Sequence, residues 1–157
     1  MQVQFDSFEM TESFACPLDK LFTAFTDPAI KRAWYVDGTH SATHDTALYT
    51  LDATVGGKEV FHLVLNDKTP VPGMKIEMES ECVARIDEEL LVQRSTMVSG
   101  GAVRSISAET FEFSTRDGKA VVKLTQQGTY LERSDGPLLR RQGFTQLFTD
   151  LRRHLAA

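Results

Sequence analysis

Leu139 to Leu155, LRRQGFTQLFTDLRRHL, is the stretch on which the fold turns. Leu139, Phe144, Leu147, Phe148, Leu151 and Leu155 recur at the three- and four-residue spacing that collects side chains on one side of an α-helix. Arg140, Arg141, Gln142, Asp150, Arg152 and Arg153 occupy the other side. Asp135, Gly136 and Pro137 stand just before, and Pro137 suits a first helical turn, where a missing amide hydrogen breaks no bond. The spacing predicts an amphipathic helix of about five turns. A helix apolar along one stripe needs an apolar surface to lie against, so the chain before it must supply one.

That preceding chain is mostly strand. Lys75 to Ile86 alternates cleanly, with Ile76, Met78, Cys82, Ala84 and Ile86 expected on one face and Lys75, Glu77, Glu79, Glu81 and Arg85 on the other. Leu90 to Met97, Val103 to Ser114 and Ala120 to Tyr130 follow, separated by the turns Asp87 to Glu89 and Asp117–Gly118. Upstream, Ala47 to Val55 and Lys58 to Leu65 read as a hairpin reversed at Gly56 and Gly57. The prolines at 70 and 72 make Asn66 to Gly73 a loop. Val3 to Ala15, with Val3, Phe5, Phe8 and Phe14 among Ser and Thr, is a first strand.

Between that strand and the hairpin the period changes. Pro17 opens a helix carrying Leu18, Leu21, Phe22 and Phe25, and Asp27–Pro28 caps and starts a second, short one with Ile30, Ala33 and Trp34. Asp37 to Thr46 is expected to be a polar loop. The order is then one strand, two helices, six strands and one helix, in a single domain over residues 1–157. Consecutive antiparallel strands curl into a trough, and the final helix is the one element able to cover it. The fold class is α+β, a curved antiparallel sheet of six or seven strands gripping a long C-terminal helix. A cylinder about 10 Å across in a curved trough touches some strands and stands off others, which leaves a cavity. The two short helices would close one end and set Trp34 near its mouth.

Composition excludes several classes. With 22 acidic and 17 basic residues the net charge is −5, which repels nucleic-acid phosphates and anionic lipid. No apolar run approaches the roughly 18 residues of a membrane span, and Met1 to Met10 lacks the basic start and apolar stretch of a secretory signal. Cys16 and Cys82 are too few for a disulfide scaffold, so the expectation is a cytoplasmic protein with two buried thiols. A homodimer through exposed sheet edges is compatible with the pattern.

No nucleophile elbow, phosphate loop or metal set is present in the sequence, and no cofactor or catalytic residue is assigned. His40 and His44 share an i, i+4 spacing, but Ser41, Thr43 and Thr46 around them favour a solvated loop. Glu77, Glu79 and Glu81 alternate toward water, and His62 reads as a packed or surface histidine. The residues that alternation turns toward the helix are more informative. Glu59, Glu109 and Gln126, with Tyr49, are polar groups facing an apolar trough, and each needs a partner there. Trp34, Phe61, Met78, Phe111, Phe144 and Phe148 are the expected apolar lining. These ten residues form the candidate site for an apolar or aromatic small molecule.

The run Cys16 to Trp34, CPLDKLFTAFTDPAIKRAW, resembles the opening of the START/Bet v 1-like superfamily, in the branch related to the activator of a heat-shock chaperone's ATPase. That branch carries V-W-x-A-L-T-D-P-x-x-x-x-x-W, matched by Leu21, Phe22, Ala24, Phe25, Thr26, Asp27, Pro28 and Trp34. Gly56–Gly57 resembles its "GG" turn, and Phe111, Phe113 and Gly128 resemble its closing strands. Two residues past the glycine pair the branch usually carries an aromatic, where this chain has Glu59. The resemblance implies a helix-grip fold with an apolar pocket. It also implies a range of roles: ligand carriage, a cyclase or aromatase of polyketide synthesis using the same pocket, or a protein-interaction, co-chaperone-like module.

Overall fold

A computed structural model describes residues 2–156, the side chain of His40 excepted. The elements are β1 (Gln4–Phe14), α1 (Leu18–Thr26), α2 (Pro28–Lys31), β2 (His44–Leu51), β3 (Lys58–Leu65), β4 (Lys75–Ile86), β5 (Leu90–Ser99), β6 (Ala102–Arg116), β7 (Lys119–Tyr130) and α3 (Gly136–Leu155). All seven strands form one antiparallel sheet in the order β1-β7-β6-β5-β4-β3-β2. Curved around α3, this is the α+β helix-grip arrangement read from the sequence. Tight reversals hold the meander together. Asp117 and Gly118 turn β6 into β7 with φ of 53° and 75°, the left-handed pair that matches the twist of a two-residue hairpin.

The core sits where α1 and the C-terminal half of α3 meet β6, β7 and β1. Phe22 and Phe25 pack edge-on against Phe113, at 5.1 and 5.3 Å between ring centroids, and Leu151 and Val122 are wholly buried. Asp27 Oδ1 accepts from the Ile30 amide at 3.0 Å, so the Asp-Pro pair starts α2 as expected. A π-helical turn over Arg32–Val36 then rotates Trp34 inward, where its indole Nε1 donates to Ala24 O at 2.9 Å. Trp34 is 3% exposed, so it belongs to the floor of the interior and not to the mouth. No helix among the described residues is long and apolar enough to cross a membrane.

Several faces depart from simple alternation. In β4 a bulge at Val83 inserts one residue between the pairs Cys82–Gln93 and Ala84–Val92, and the pleat changes phase beyond it. Ile86 is therefore 52% exposed, and Arg85 turns inward with its guanidinium 5.3 Å from the Phe22 ring. Phe5 of β1 lies on the outer face at 76% exposure. β2 begins at His44, inside the expected polar loop, and ends at Leu51. The hairpin connection is thus residues 52–57 and not the glycine pair alone. On α3, Leu139 is exposed, whereas Arg140 and Asp150 turn inward.

Candidate functional site

Strand register lays the inner face out in rows. Phe61, Met78, Met97 and Ser105 lie side by side across β3 to β6, and Glu59, Ser80, Ser95 and Ser107 form the next row. Gln93, Glu109 and Gln126 follow, then Leu91, Phe111 and Leu124. Two polar rows therefore cross the middle of an otherwise apolar trough. The N-terminal half of α3 stands off them and leaves a cavity of about 410 Å³. That volume lies within the usual range of small-molecule sites, roughly 300 to 1,000 Å³. Leu139, Gly143 and Gln146 line it yet are exposed, which places its mouth along this part of α3.

Eight of the ten residues chosen from the sequence border this cavity. Trp34, Phe61 and Phe111 stand on its buried walls, Met78 on the sheet, and Phe144 and Phe148 on the helix. Glu59 and Glu109 are the remaining two, 7% and 4% exposed. Tyr49 and Gln126 do not reach it. Tyr49 is set behind Phe61, at 5.8 Å between ring centroids, and its hydroxyl donates to Glu59 Oε2 at 2.6 Å. Gln126 is sealed off by Tyr130, whose hydroxyl donates to its Oε1 at 2.9 Å. Gly128 makes this possible: a Cβ there would meet the Tyr130 ring at 2.7 Å, so only glycine lets the ring fold back along β7.

The two glutamates have different surroundings. Lys31 Nζ sits 2.9 Å from Glu59 Oε1 and 2.8 Å from Oε2, both side chains buried, and it also lies 4.7 Å from the centre of the Tyr35 ring. With Tyr49 on the same carboxylate, Glu59 is fully engaged. Burial first, and then the charge and hydrogen bond of Glu59, push the Tyr49 hydroxyl far above the ordinary tyrosine range. Burial, followed by the charges of Glu59 and Glu109, does the same for Tyr35, so both phenols stay protonated donors.

Glu109 is held on one side only. Its Oε1 accepts from Ser95 Oγ at 2.6 Å and from Gln93 Nε2 at 3.1 Å. Its Oε2 is buried and has no hydrogen-bond partner. Arg140, the other cation on the cavity wall, is spent elsewhere: Nε and Nη2 fork onto the Asp135 carboxylate at 2.8 and 2.9 Å, and Nη2 also reaches Ser105 Oγ at 2.9 Å. Burial opposes its charge, but the hydrogen bonds and charge of Asp135, followed by Tyr130 and the charge of Glu109, outweigh that and hold its pKa above the usual arginine value.

A family model described as Activator of Hsp90 ATPase homolog 1-like protein matches residues 15–156. The chain belongs to that family. Solved structures of similar shape include the Mll3558 protein from Rhizobium loti, with a TM-score of 0.84, 23% identity and coverage of 98% of this chain and 99% of that one. A protein from Rhizobium leguminosarum gives 0.88 at 19% identity, covering 99% and 97%. DynU16, described as a putative protein in the dynemicin biosynthetic locus, gives 0.61 at 15% identity over 97% of this chain and 48% of that one. At these identities the likeness is one of fold. No curated protein matches the chain at a significant level.

In this member of the Activator of Hsp90 ATPase homolog 1-like family, the polar wall holds residues that sequence reading passed over. Lys31 was legible in principle, because an inward glutamate such as Glu59 requires a cation, and the short helix behind it offers Lys31 and Arg32. His44, inside the expected polar loop, is the first residue of β2. It is 7% exposed on the cavity wall, its ring centroid 5.7 Å from that of Phe61. Of the i, i+4 histidines read as part of a solvated loop, the side chain of His40 lies outside the described residues. Arg140 gave no signal, since helical spacing assigns it to the polar face.

Proposed function

We propose that this protein binds an apolar or aromatic small molecule in the cavity between α3 and the sheet. The supporting observation is the cavity itself, about 410 Å³, walled mainly by aromatic and aliphatic side chains and opening beside Leu139 and Gly143. Apolar walls supply affinity at about 25 cal/mol per Å² of surface removed from water, and the few polar groups set orientation. The sequence contains a single tryptophan, and Trp34 stands on the cavity wall, which makes it a built-in reporter. Titration with naphthalene-sized aromatic compounds should quench its emission saturably and raise the melting temperature. Gly143→Phe, which places a ring at the mouth where an added Cβ meets nothing within 4 Å, should abolish both effects. A panel of such compounds that leaves emission and melting temperature unchanged would defeat the reading.

Catalysis in the same cavity is the second reading. It is favoured by Glu109, a buried carboxylate on the wall of a space large enough for a substrate, with one oxygen that has no hydrogen-bond partner. Glu59 is unsuited to that work because Lys31 and Tyr49 hold it. DynU16, of similar fold, is described from a biosynthetic locus, a context in which such chemistry would be at home. Turnover that Glu109→Gln abolishes while binding persists would raise this reading above the first.

A further inference from the structure

We propose that the molecule bound in this cavity carries a hydrogen-bond donor, a phenolic hydroxyl or an amine, which it delivers to the Glu109 carboxylate with its apolar body toward the mouth. The inference rests on reading the cavity as a binding site and goes on to say which chemistry that site selects. A carboxylate has about four acceptor positions. Glu109, which lines the cavity, uses one oxygen for Ser95 and Gln93, while its other oxygen is buried with nothing bonded to it. Neither wall cation can fill that vacancy. Lys31 is paired with Glu59 and Arg140 with Asp135, so the pairs cancel and Glu109 remains the carboxylate without a counter-ion among them.

Charge and geometry therefore agree on the class. A ligand acid would bring a second negative charge beside Glu109, while the guanidinium that might have received it is already forked onto Asp135. A purely apolar ligand would shut the Glu109 carboxylate further from solvent and offer it no donor in return, which is a net loss. A donor on a ring satisfies the carboxylate, and a cationic amine also balances its charge. The aromatic flank is close to the polar rows: Phe111 lies one row beyond Glu109 on β6, and Phe148 lines the same cavity from the helix.

Calorimetric titration of the intact protein with 2-naphthol, 2-methoxynaphthalene and 2-naphthoate tests the selection, since the three share a body and differ at one group. A donor hydrogen bond to a charged acceptor predicts naphthol binding roughly ten- to a hundredfold tighter than the methyl ether, with the acid weakest. Glu109→Leu should bring naphthol and methyl ether to within about twofold of each other. Should that variant fail to fold, the ligand series on the unmodified protein decides alone, together with the red shift of naphthol absorption expected against a carboxylate. Equal affinities for alcohol and ether, or tightest binding of the acid, would overturn the donor assignment and leave the cavity reading intact. No binding of any of the three to folded protein would overturn both.

Discussion

Along α3 the C-terminal half buries Phe148, Leu151 and Leu155 at 2%, 0% and 8% exposure, whereas Leu138 and Leu139 in the N-terminal half are 69% and 58% exposed. The same helix crosses the same sheet in both places. The difference lies in what stands opposite. Under the C-terminal half, α1 brings Phe22 and Phe25 against Phe111 and Phe113, so rings fill the trough. Under the N-terminal half the sheet offers serines: Ser95 and Ser107 are too short to reach the helix, and Ser105 meets it only through the long Arg140 side chain. The cavity is thus a consequence of small polar residues at inner positions of β5 and β6, with Arg140 and Asp135 lining the upper wall.

Mutations should separate the two halves. The largest effect is expected at their boundary: Lys31→Ala strands Glu59 and should cost about 3 to 5 kcal/mol in urea unfolding, as loss of one partner of a buried ion pair does. The double change Lys31→Met with Glu59→Leu removes both charges and should recover most of that loss. Leu151→Ala in the filled half should cost about 2 to 5 kcal/mol, while Phe144→Ala, which borders open space, should cost visibly less by the same measurement. Equal costs at Leu151 and Phe144 would mean that the open half is as tightly packed as the filled one.

Alkaline pH probes the polar wall. Burial and the neighbouring glutamate charges raise the folded-state pKa of Tyr35 and Tyr49 above their ordinary value of 10.0. The unfolded chain therefore releases these protons first, so their contribution to stability is complete below that value and is lost as pH rises beyond it, by up to about 1.4 kcal/mol per pH unit for each phenol. Urea midpoints measured at about pH 9 and about pH 11 should fall accordingly, with tyrosinate absorbance from these two phenols appearing only as the protein unfolds. The smallest effect belongs to the mouth. Gly143→Ala adds a Cβ that meets nothing within 4 Å and removes a helix-weakening glycine, so it should stabilise by about 0.5 to 1 kcal/mol, read as a rise in melting temperature.

The strands, the three helices and their order were legible because each depends on local periodicity, and the meander follows from short turns between neighbours. Face assignments failed where a single residue changed the phase, as at Val83 in β4, or where a polar side chain found a tertiary partner. Asp150 illustrates the latter. Helical spacing puts it outside, yet its Oδ1 accepts from Thr39 Oγ1 at 2.9 Å, and it pins the turn that leads into β2. The candidate site divided in the same way. Phe61, Met78, Phe111 and Glu109 sit on regular stretches of strand and point where alternation sends them. Gln126 does so too, but a ring two rows away covers it.

From its residues alone, this chain determined the kinds of element, their sequence and the need for a trough covered by a helix, because apolar spacing and turn chemistry act over a few neighbours. Which inward polar groups find partners was decided only when distant segments met: Lys31 on Glu59, Tyr130 over Gln126, and Asp135 on Arg140. Hydrogen bonds and ion pairs depend on placement to a few tenths of an ångström, and no periodicity in one segment encodes where another will lie.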